Sequence, residues 1–350
     1  MNEKSVQILS LFDGISCGRV ALERADFGVK QYHAFEIDKY AIQIAKKNYS
    51  DTLHYGDVLG NDYTEFKDID ILLAGSPCTF WSIAKKSREL DKDGLGWKLF
   101  ERFLLALRTT NPKYFVYENV ASMPKNIKEY ITEELGVEPI LINSSLVSAQ
   151  QRKRLYWTNI PNVTQPEDRH IYLNDILEDG WFSDRLKSYC IDASYYKGGN
   201  LKQYFDKKRR QLVFTKNTKD SELLKIFTNE EVDKINLGIY AVAQRGRYIG
   251  QNGLRKDVYG AKTEQRFETS FSQKSNCLTT IQKDSLILAI EKNIIGVRKL
   301  TPLETERLQT LPDGYTDGAS VSNSQRYKTI GNGWTVDVVT HILSFIKNNV

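Results

Sequence analysis

About 160 residues at the start of the chain alternate between short apolar runs and stretches in which apolar residues recur at helical spacing. Segments such as Asp38–Asn48 and Lys98–Thr109 repeat apolar residues every three or four positions, which is typical of amphipathic helices. The strand–helix–strand repetition predicts an α/β fold with a doubly wound, mostly parallel sheet, whose ligands bind beyond the carboxyl ends of the strands. The predicted strands are Val6–Phe12, Gln31–Glu36, Ile69–Gly75, Tyr114–Glu118 and Glu138–Asn143.

The remainder of the chain has a different texture, because Pro161–Asn293 shows no clear strand–helix alternation. This segment carries a basic cluster at Lys207–Arg210 and a Gly- and Arg-rich stretch at Gln244–Lys256, so we interpret it as a second, more irregular domain. After it, Thr301–Glu304 has the spacing of a capping box at a helix start. The apolar stretch Gly333–Ile346 predicts a helix that packs back on the first domain.

The bulk composition is typical of a soluble globular protein, since 41% of the 350 residues are hydrophobic and 27% are charged. No apolar run approaches the roughly 18–20 residues that cross a bilayer, and the N-terminal residues lack the long apolar region of an export signal. We therefore expect a cytoplasmic protein without a membrane partner. The net charge of +5 permits a polyanionic partner but does not require one.

The cysteines and histidines are scattered along the chain, and no CxxC pair occurs, so the sequence indicates no metal site. Structural disulfides are not expected in a reducing compartment. A cysteine with a chemical role here is therefore better suited to nucleophilic attack than to metal binding. The four cysteines are Cys17, Cys78, Cys190 and Cys277.

Three loops in the first half of the predicted sheet suit a nucleotide-like cofactor. The loop Phe12–Gly18 contains small residues that let backbone amides approach a ligand, but it lacks the GxGxxG pattern of nicotinamide dinucleotide sites. Glu36 ends the next strand, where an acidic side chain suits ribose hydroxyls, and Asp57 could accept a hydrogen bond from an adenine amino group. A tight turn and two solvated carboxylates would explain each feature taken singly.

Two further predicted strands end in groups that suit covalent chemistry. Cys78 follows a strand and a proline in a loop that should face the ligand, which favours a nucleophile over the buried, inert thiol that a lone cysteine usually is. Glu118 finishes an apolar strand, where desolvation of a carboxylate is unfavourable unless partners or function compensate. Arg152 and Arg154 add fixed positive charges, although a basic surface turn would also explain them.

The order of these motifs along the chain is informative: FDGISCG, GDV, GSPC, ENV, QxRxR, RxLTPxExxRLQxxP (Arg298–Pro312) and GNGWTV. Together they resemble the C5-cytosine DNA methyltransferase family of prokaryotic or phage type, and their surroundings are similar to the de novo type. The resemblance covers about 200 residues and implies a Rossmann-like, S-adenosylmethionine-dependent methyltransferase. The first loop departs from the common bacterial FxGxGG pattern by having Ser16 and Cys17 at the two later glycine positions.

The resemblance implies a covalent mechanism on a cytosine that is flipped out of the duplex. Cys78, as a thiolate, would add to C6, so that C5 can attack the sulfonium methyl group. Glu118 would act at ring N3 and the exocyclic amine. Arg152 should help to hold Glu118 and the base, and Arg154 should contact the base or a nearby phosphate. Loss of the C5 proton through water and elimination of Cys78 would follow.

The same resemblance implies a binding site for the cofactor S-adenosyl-L-methionine along the loops of the first domain. Ile37 occupies a position where many relatives have tryptophan, so weaker stacking on adenine is expected. The implied cofactor residues are Phe12, Asp13, Gly14, Ile15, Glu36, Ile37, Asp57, Val58, Pro77, Leu99, Asn332 and Gly333.

DNA contacts are expected from two parts of the chain. Residues from Thr79 to about Gly96 should form a mobile loop that closes over the flipped base. The Gln244–Lys256 loop and Ser275–Thr280, which resembles the Thr-Leu region of family recognition domains, are the expected groove contacts. The candidate DNA-binding residues are Ser82, Lys85, Arg245, Arg247, Arg255 and Thr279.

The implied domain plan has four segments. Residues 1–160 would bind the cofactor and catalyse, 161–297 would recognise the target, 298–324 would form a hinge and support the recognition domain, and 325–350 would return to the catalytic domain. The implied partners are double-stranded DNA and, in a restriction–modification system, a cognate restriction endonuclease. We expect a monomer in the cytoplasm of a bacterial or phage-infected cell.

Two alternative functions remain compatible with these motifs. The nearest is the same chemistry on transfer RNA, although the long block between Arg154 and Arg298 has a size suited to reading a DNA groove. The second is a non-catalytic DNA-binding relative. Retention of Cys78 and Glu118 together with both arginines argues against it, because a decayed site would usually have lost one of them.

Overall fold

The chain folds into two units, and neither is continuous in sequence. The first unit comprises Met1–Ile176, Asp192–Tyr196 and Pro302–Val350, and the second comprises Leu177–Ile191 and Lys197–Thr301. The computed structural model describes residues 5–83, 87–198, 204, 207–215, 239–248, 263–270, 286–289 and 296–347. The roles that we expect of the four sequence segments stay predictions.

The sheet of the first unit contains seven strands: β1 (Ser5–Leu11), β2 (Gly28–Phe35), β3 (Leu53–His54), β4 (Ile71–Ala74), β5 (Tyr114–Val120), β6 (Ile140–Asn143) and β7 (Lys153–Thr158). Their order across the sheet is β3-β2-β1-β4-β5-β7-β6. The first five strands are parallel to one another, whereas β7 is antiparallel to both β5 and β6. The predicted α/β, doubly wound, mostly parallel fold is therefore confirmed.

All five predicted strands are present, with ends that differ by a few residues. Sequence reasoning missed β7, which lies between β5 and β6. Its last four residues are all buried, so the strand shows an apolar run instead of the alternation that marks a half-exposed strand. The basic residues at its start also make the segment look like a surface turn.

Helices connect the parallel strands and return the end of the chain to the sheet: α1 (Cys17–Arg24), α2 (Lys39–Asn48), α3 (Leu95–Thr110), α4 (Lys125–Leu135), α5 (Pro302–Leu308), α6 (Asn323–Asn332) and α7 (Val336–Lys347). α2 begins after Asp38, whose carboxylate accepts a hydrogen bond from the Tyr40 amide at 2.9 Å. α7 packs against α1. None of the helices in the described part of the chain combines the length and apolar character needed to span a bilayer.

The main hydrophobic core of the first unit is formed by β4, β5 and β7 together with α3 and α4. Aromatic rings dominate it; the ring centroids of Phe103 and Tyr117 are 4.8 Å apart, and Trp157 is fully buried beside them. Phe12 and Cys78 pack against this cluster from two different loops. These loops therefore rest on a rigid support, which is what a site with fixed geometry needs.

In its described residues, the second unit contains two small sheets, each of three strands. One consists of β8 (Trp181–Phe182), β9 (Leu212–Thr215) and β13 (Gly296–Lys299); the other consists of β10 (Ile239–Tyr248), β11 (Thr263–Ser270) and β12 (Leu286–Ala289). The expectation of a Gln244–Lys256 loop is thus wrong for its first five residues, which belong to β10 and pair with β11. Glycine-rich composition suggested a loop, but cross-strand pairing overrides that local preference.

Candidate active site

The loops after four neighbouring strands carry most of the sequence-predicted site residues. The strands β2, β1, β4 and β5 are adjacent and parallel, so their carboxyl ends lie at one edge of the sheet. We call the loops after β1 and β2 (Phe12–Cys17 and Glu36–Asp38) the cofactor side. We call the loop after β4 (Ser76–Trp81) and the end of β5 (Glu118–Val120) the thiol side.

The loop after β1 is tightly folded around the carboxylate of Asp13. Phe12, Gly14 and Ser16 have left-handed backbone conformations, with φ of 59°, 60° and 61°. The Asp13 amide donates to the Phe35 carbonyl at 3.0 Å. Its carboxylate accepts hydrogen bonds of 2.6–2.7 Å from the hydroxyls of Ser10, Ser16 and Tyr32. Burial raises the pKa of Asp13, and the three hydroxyl donors oppose that rise. Asp13 therefore shapes the loop from within.

Glu36 joins the two loops of the cofactor side. One carboxylate oxygen accepts a hydrogen bond from the Gly14 amide at 2.8 Å, and the other accepts from the amides of Ile37 (2.8 Å) and Asp38 (2.7 Å). Burial raises the pKa of Glu36, while the backbone donors lower it. The predicted ribose-binding carboxylate is thus also a brace for the loop after β1.

Apolar side chains are exposed in the segments that follow β2 and β3. Ile37 is 74% exposed and Leu59 is 49% exposed, although both are apolar. Asp57 begins a short 3-10 helix, Val58–Gly60, and its carboxylate accepts a hydrogen bond from the Leu59 amide at 3.0 Å. Exposed apolar groups next to carboxylates suit a ligand with a flat apolar ring and polar substituents.

Cys78 begins a short 3-10 helix, Cys78–Phe80, directly after Pro77. Its carbonyl oxygen accepts hydrogen bonds from the amides of Trp81 (3.2 Å) and Ser82 (2.9 Å), which closes the turn. The Cys78 side chain is half-buried and packs on the main core. The predicted nucleophile therefore lies in a defined turn beyond the end of β4.

The loop before Cys78 is tied to the neighbouring strand β5. The Ser76 and Tyr117 hydroxyls are 2.6 Å apart, and the Asn119 amide nitrogen donates to Ser76 Oγ at 3.1 Å. Asn119 is fully buried and belongs to the strand that carries Glu118. Sequence reasoning noted Asn119 in the ENV motif without assigning it a role. Its hydrogen bonds link the thiol loop to β5.

The far end of the predicted mobile loop is also anchored. The Glu89 amide donates to the Phe80 carbonyl at 2.8 Å, and its carboxylate accepts from the Gly96 amide at 2.9 Å, in the first turn of α3. Arg88 donates to the Ser122 carbonyl at 2.9 Å. Sequence reasoning missed these contacts, which fix both the turn after Cys78 and the start of α3. Loop closure over a base stays a prediction.

Glu118 lies on β5 and is buried, with 7% of the residue exposed. Its Oε1 is 2.9 Å from Arg154 Nε, and its Oε2 accepts a hydrogen bond from Trp334 Nε1 at 3.1 Å. β7 pairs Glu118 with Tyr156, so Arg154 is two residues from the directly opposite position. A charged donor and an indole therefore hold the carboxylate from two directions. Sequence reasoning did not identify Trp334.

The structure distributes the two arginines differently from the prediction. We expected Arg152 to hold Glu118, but the ion pair that Glu118 makes is with Arg154. Arg152 is buried and donates to the carbonyls of Gly331 (3.3 Å), in the last turn of α6, and Gly333 (2.9 Å), between α6 and α7. Antiparallel register explains the exchange, because it sets which β7 side chain reaches β5.

A buried glutamine that sequence reasoning missed organises the same turn. The Gln309 side chain donates to the carbonyls of Ile330 (2.9 Å) and Gly333 (3.0 Å) and accepts from the Gln150 side chain (2.8 Å) and the Thr335 hydroxyl (2.9 Å). Both glutamines are completely buried. The RLQ and QxR motifs that contain them were the available signal, but neither motif names its partner.

Several predicted cofactor residues have side chains that are largely inaccessible to a ligand. Ile15, Val58 and Leu99 are buried in the core, so they could meet a cofactor chiefly through their backbone. The amide of Gly333 donates to carbonyls of α6, while Pro77 and Asn332 are exposed. These positions stay predictions.

The predicted DNA contacts lie in both units. Ser82 is half-buried in the first unit, and Lys85 lies outside the described residues. Arg245 and Arg247 lie on β10, where they pair with Arg266 and Glu264 of β11. The remaining two candidates, Arg255 and Thr279, lie outside the described residues.

Comparison with known proteins agrees with the family that the sequence motifs resemble. The profile of a family described as C-5 cytosine-specific DNA methylase matches residues 6–348. The chain is 26% identical to the orphan methyltransferase M.SPRI of Bacillus phage SPR, over 96% of both chains. It is 27% identical to the type II methyltransferase M.BanI of Aneurinibacillus aneurinilyticus, over 99% of this chain and 96% of the relative.

Solved structures share the fold along the whole chain. The Entamoeba histolytica methyltransferase EhMeth superposes with a TM-score of 0.59 at 14% identity and covers 99% of both chains. A Spodoptera frugiperda DNMT2 mutant superposes with a TM-score of 0.57 at 15% identity, covering 98% of this chain and 99% of that one. At such low identity these likenesses establish the fold alone.

Proposed function

Because the chain belongs to the C-5 cytosine-specific DNA methylase family, we propose that it methylates C5 of a cytosine flipped out of duplex DNA, with Cys78 as the nucleophile. Membership of this family makes the chain a DNA cytosine methyltransferase. The steps of the reaction and the residues that carry them out are what we propose. S-adenosylmethionine, the proposed methyl donor, supplies an electrophilic methyl group on its sulfonium.

One observation supports the proposed mechanism: a cysteine and a carboxylate lie at the carboxyl ends of two adjacent parallel strands. Cys78 lies in the turn after β4, and Glu118 lies near the end of β5. Ser76 and Asn119 join the two elements by a hydrogen bond of 3.1 Å. A nucleophile and a proton donor on tied elements suit a reaction in which both act on one ring.

Cys78 supplies the electrons that C5 of cytosine lacks. Its thiolate adds to C6, and the C5–C6 electron pair becomes available at C5 to bond to the methyl group, whose bond to the sulfonium sulfur would break and leave a neutral thioether. After transfer, C5 loses its proton through water and the C6–S bond breaks. This returns the thiolate and restores the aromatic ring. The half-buried position of Cys78 suits this role, because the sulfur needs both access and a fixed direction.

Glu118 stabilises the ring during that addition. Attack at C6 places negative charge on the ring, and a proton or hydrogen bond from Glu118 at N3 relieves it. Arg154, 2.9 Å from Oε1, keeps the carboxyl group oriented and supplies positive charge beside the base. Arg152 contributes indirectly, by fixing the turn that precedes Trp334 through the Gly333 carbonyl.

The residues of the cofactor side fit S-adenosylmethionine. The loop after β1 turns through left-handed residues, and a Cβ at Gly14 would meet nothing within 4 Å, so open space borders the loop there. Exposed Ile37 and Leu59 offer an apolar surface for an adenine ring. Glu36 and Asp57 provide carboxylates beside them for ribose hydroxyls and the adenine amino group.

The second unit is the proposed reader of the DNA sequence. Arg245 and Arg247 lie in the part of β10 that pairs with β11 beyond the residues paired with β12, and a two-stranded ribbon can enter the major groove. Replacement of either arginine by alanine should relax the methylated motif at one position if it reads a base. If the arginine instead binds a phosphate, its replacement should weaken methylation of all sites alike and flatten the salt dependence.

The function is tested by mapping methylation in cells that express the protein. Bisulfite sequencing of their DNA should show 5-methylcytosine within one sequence motif, and purified protein should transfer tritium from labelled S-adenosylmethionine to duplex DNA. Transfer RNA is the matched substrate for comparison. Labelling of transfer RNA with none in DNA would overturn the choice of substrate.

The covalent step has a test of its own. Duplex DNA with 5-fluorocytosine at the target should trap a denaturant-resistant complex, because fluorine cannot leave as a proton and Cys78 cannot be eliminated. If ordinary DNA is methylated under the same conditions and no complex forms, the covalent mechanism is wrong.

A further inference from the structure

Trp334 lies in the turn between α6 and α7, far in sequence from the residues of the thiol side. Its indole Nε1 donates a hydrogen bond to Glu118 Oε2 at 3.1 Å, while Arg154 Nε lies 2.9 Å from Oε1. Only 10% of the Glu118 side chain is exposed. Each carboxylate oxygen thus has its own fixed donor, and the two donors come from distant parts of the sequence.

Gly75 leaves the space that the indole ring occupies, and Gly18 borders that space. A Cβ at Gly75 would lie 2.6 Å from Trp334 Nε1 and 3.0 Å from two of its ring carbons. A Cβ at Gly18 would lie 3.5 Å from Trp334 Cζ3. Gly75 comes three residues before Cys78, so the ring rests directly on the backbone that leads to the thiol. Any side chain at Gly75 would push the indole nitrogen away from Glu118.

The backbone that delivers the indole is held on both sides. The Gly333 carbonyl accepts hydrogen bonds from Arg152 at 2.9 Å and from Gln309 at 3.0 Å, and the Thr335 hydroxyl donates to Gln309 at 2.9 Å. Arg152 and Gln309 are buried. The hydrogen bonds of Arg152, Gln309 and Thr335 therefore set the position of Trp334. None of these bonds is made to Glu118.

We propose that Trp334 is a positioning residue for Glu118, whose indole N–H holds the carboxyl plane in the orientation needed at cytosine N3. This inference rests on the proposed role of Glu118. A carboxyl group with one fixed donor can still rotate about its Cγ–Cδ bond, whereas donors on both oxygens remove that freedom. A small error in the direction of a proton donor slows transfer strongly, because proton transfer requires close alignment.

The first test is Trp334→Phe, which keeps an aromatic ring against Gly75 and removes the N–H donor. We expect kcat for methylation of duplex DNA to fall roughly 10- to 100-fold, as for loss of one hydrogen bond to a charged group. KM for S-adenosylmethionine should change by less than about threefold. A Trp334 that only lines the cofactor pocket would give the opposite split, with KM raised and kcat preserved.

The matched control is Trp97→Phe. The Trp97 indole donates to Glu101 at 3.1 Å within α3, which is the same bond length between the same groups, and its acceptor is not Glu118. Its loss should leave kcat within about twofold of the wild type. Thermal unfolding then compares the stability of the two variants. Similar losses of stability with different losses of kcat would assign the rate effect to the bond between Trp334 and Glu118.

A second variant covers the case in which Trp334→Phe does not fold. Gly75→Ala keeps the tryptophan but displaces its nitrogen, so it should lower kcat in the same direction. A double-mutant cycle with Glu118→Ala completes the test, because Trp334→Phe should cost no further rate once the carboxyl group is absent.

Two results would overturn the inference: kcat within about twofold of the wild type in both Trp334→Phe and Gly75→Ala, or an undiminished rate loss from Trp334→Phe in the Glu118→Ala background. Either result leaves the proposed function intact, since that is tested by methylation of DNA by the unaltered protein. A wild type that does not methylate DNA would reject the proposed function first.

Discussion

The cofactor side and the thiol side each contain a carboxylate, but different kinds of donor hold it. Glu36 accepts hydrogen bonds of 2.7–2.8 Å from three backbone amides. Glu118 is held by two side chains, Arg154 at 2.9 Å and Trp334 at 3.1 Å. Backbone donors move only with their loops, whereas side-chain donors are placed by the packing of distant segments. The position of Glu36 therefore depends on the fold of its two loops, and that of Glu118 depends on the packing of Arg154 and Trp334.

The two sides also contain one cysteine each, with opposite surroundings. Cys17 is 3% exposed at the start of α1, and burial raises the pKa of its thiol to about 12. Cys78 is half-buried on a short turn that packs on the main core. A thiol with so high a pKa stays protonated and unreactive at neutral pH. The two thiols therefore differ in burial, and the proposed nucleophile is the less buried of the two.

The largest effects are expected when each of the two cysteines is replaced in turn, which tests the difference between them directly. Cys78→Ser should lower kcat by at least about 1000-fold with little change in cofactor affinity, because a hydroxyl is a far weaker nucleophile. Cys17→Ser should leave kcat within about threefold and lower the free energy of unfolding by about 1 kcal/mol, because it buries a more polar group. Tritium transfer, calorimetric titration and urea unfolding measure these effects. Appreciable turnover by the Cys78 variant would reject the distinction.

The ion pair on Glu118 tests whether its side-chain donors matter for rate. Arg154→Ala should lower kcat about 100-fold, because it removes the charged partner of a buried carboxylate. Arg108→Ala is the control: Arg108 lies 2.9 Å from Glu134 on the surface, with 66% of its side chain exposed. An exposed pair contributes little, so this variant should behave as the wild type. Equal effects of the two substitutions would show that Glu118 needs no oriented donor.

The backbone-held carboxylate should govern binding and not rate. Glu36→Gln places an amide NH₂ group against backbone N–H donors, so the loop after β1 should loosen. We expect the Kd of S-adenosylmethionine to rise about tenfold, with kcat at saturating cofactor within about threefold. Equilibrium dialysis and initial rates separate the two quantities. A fall in kcat without a change in Kd would contradict the division of the site into two sides.

The smallest expected effect is a pH dependence of stability from Asp13. Burial raises its pKa above the ordinary 3.8, so the folded chain binds the proton more tightly than the unfolded chain. The stability contributed by Asp13 is therefore full below pH 3.8 and declines as the pH rises through the raised pKa. Asp13→Asn should lack this decline, at about 1.4 kcal/mol per unit of raised pKa. Urea unfolding at a series of pH values measures the difference, and parallel curves for both proteins would reject it.

Local features of the sequence predict the strands, their loops and most of the residues at the sheet edge. Cys78 and Glu118 could be predicted because each directly follows or ends an apolar run, and parallel strands bring such positions together. The identity of the arginine beside Glu118 could not be predicted, because it depends on the register of β7 against β5. One residue of difference in that register would present another side chain.

The missed contacts share a physical cause. Trp334 and Gln309 lie more than 150 residues from Glu118 and Gln150, and their side chains fit no local periodicity. The hydrogen-bond partner of a buried polar side chain is whichever group the fold places next to it. That partner therefore cannot be read from the local sequence. The second unit was predicted as irregular for a related reason, since its strands depend on cross-strand pairing.

The division of the first unit into distant segments has a consequence for the order of events during synthesis. Arg154 leaves the ribosome 180 positions before Trp334, which lies in the turn that Arg152 and Gln309 hold. At roughly 5–20 residues per second, a nascent chain displays Glu118 for about ten seconds or longer without its indole partner. Every new molecule thus passes through an interval in which Arg154 has been synthesised and the second donor to Glu118 has not.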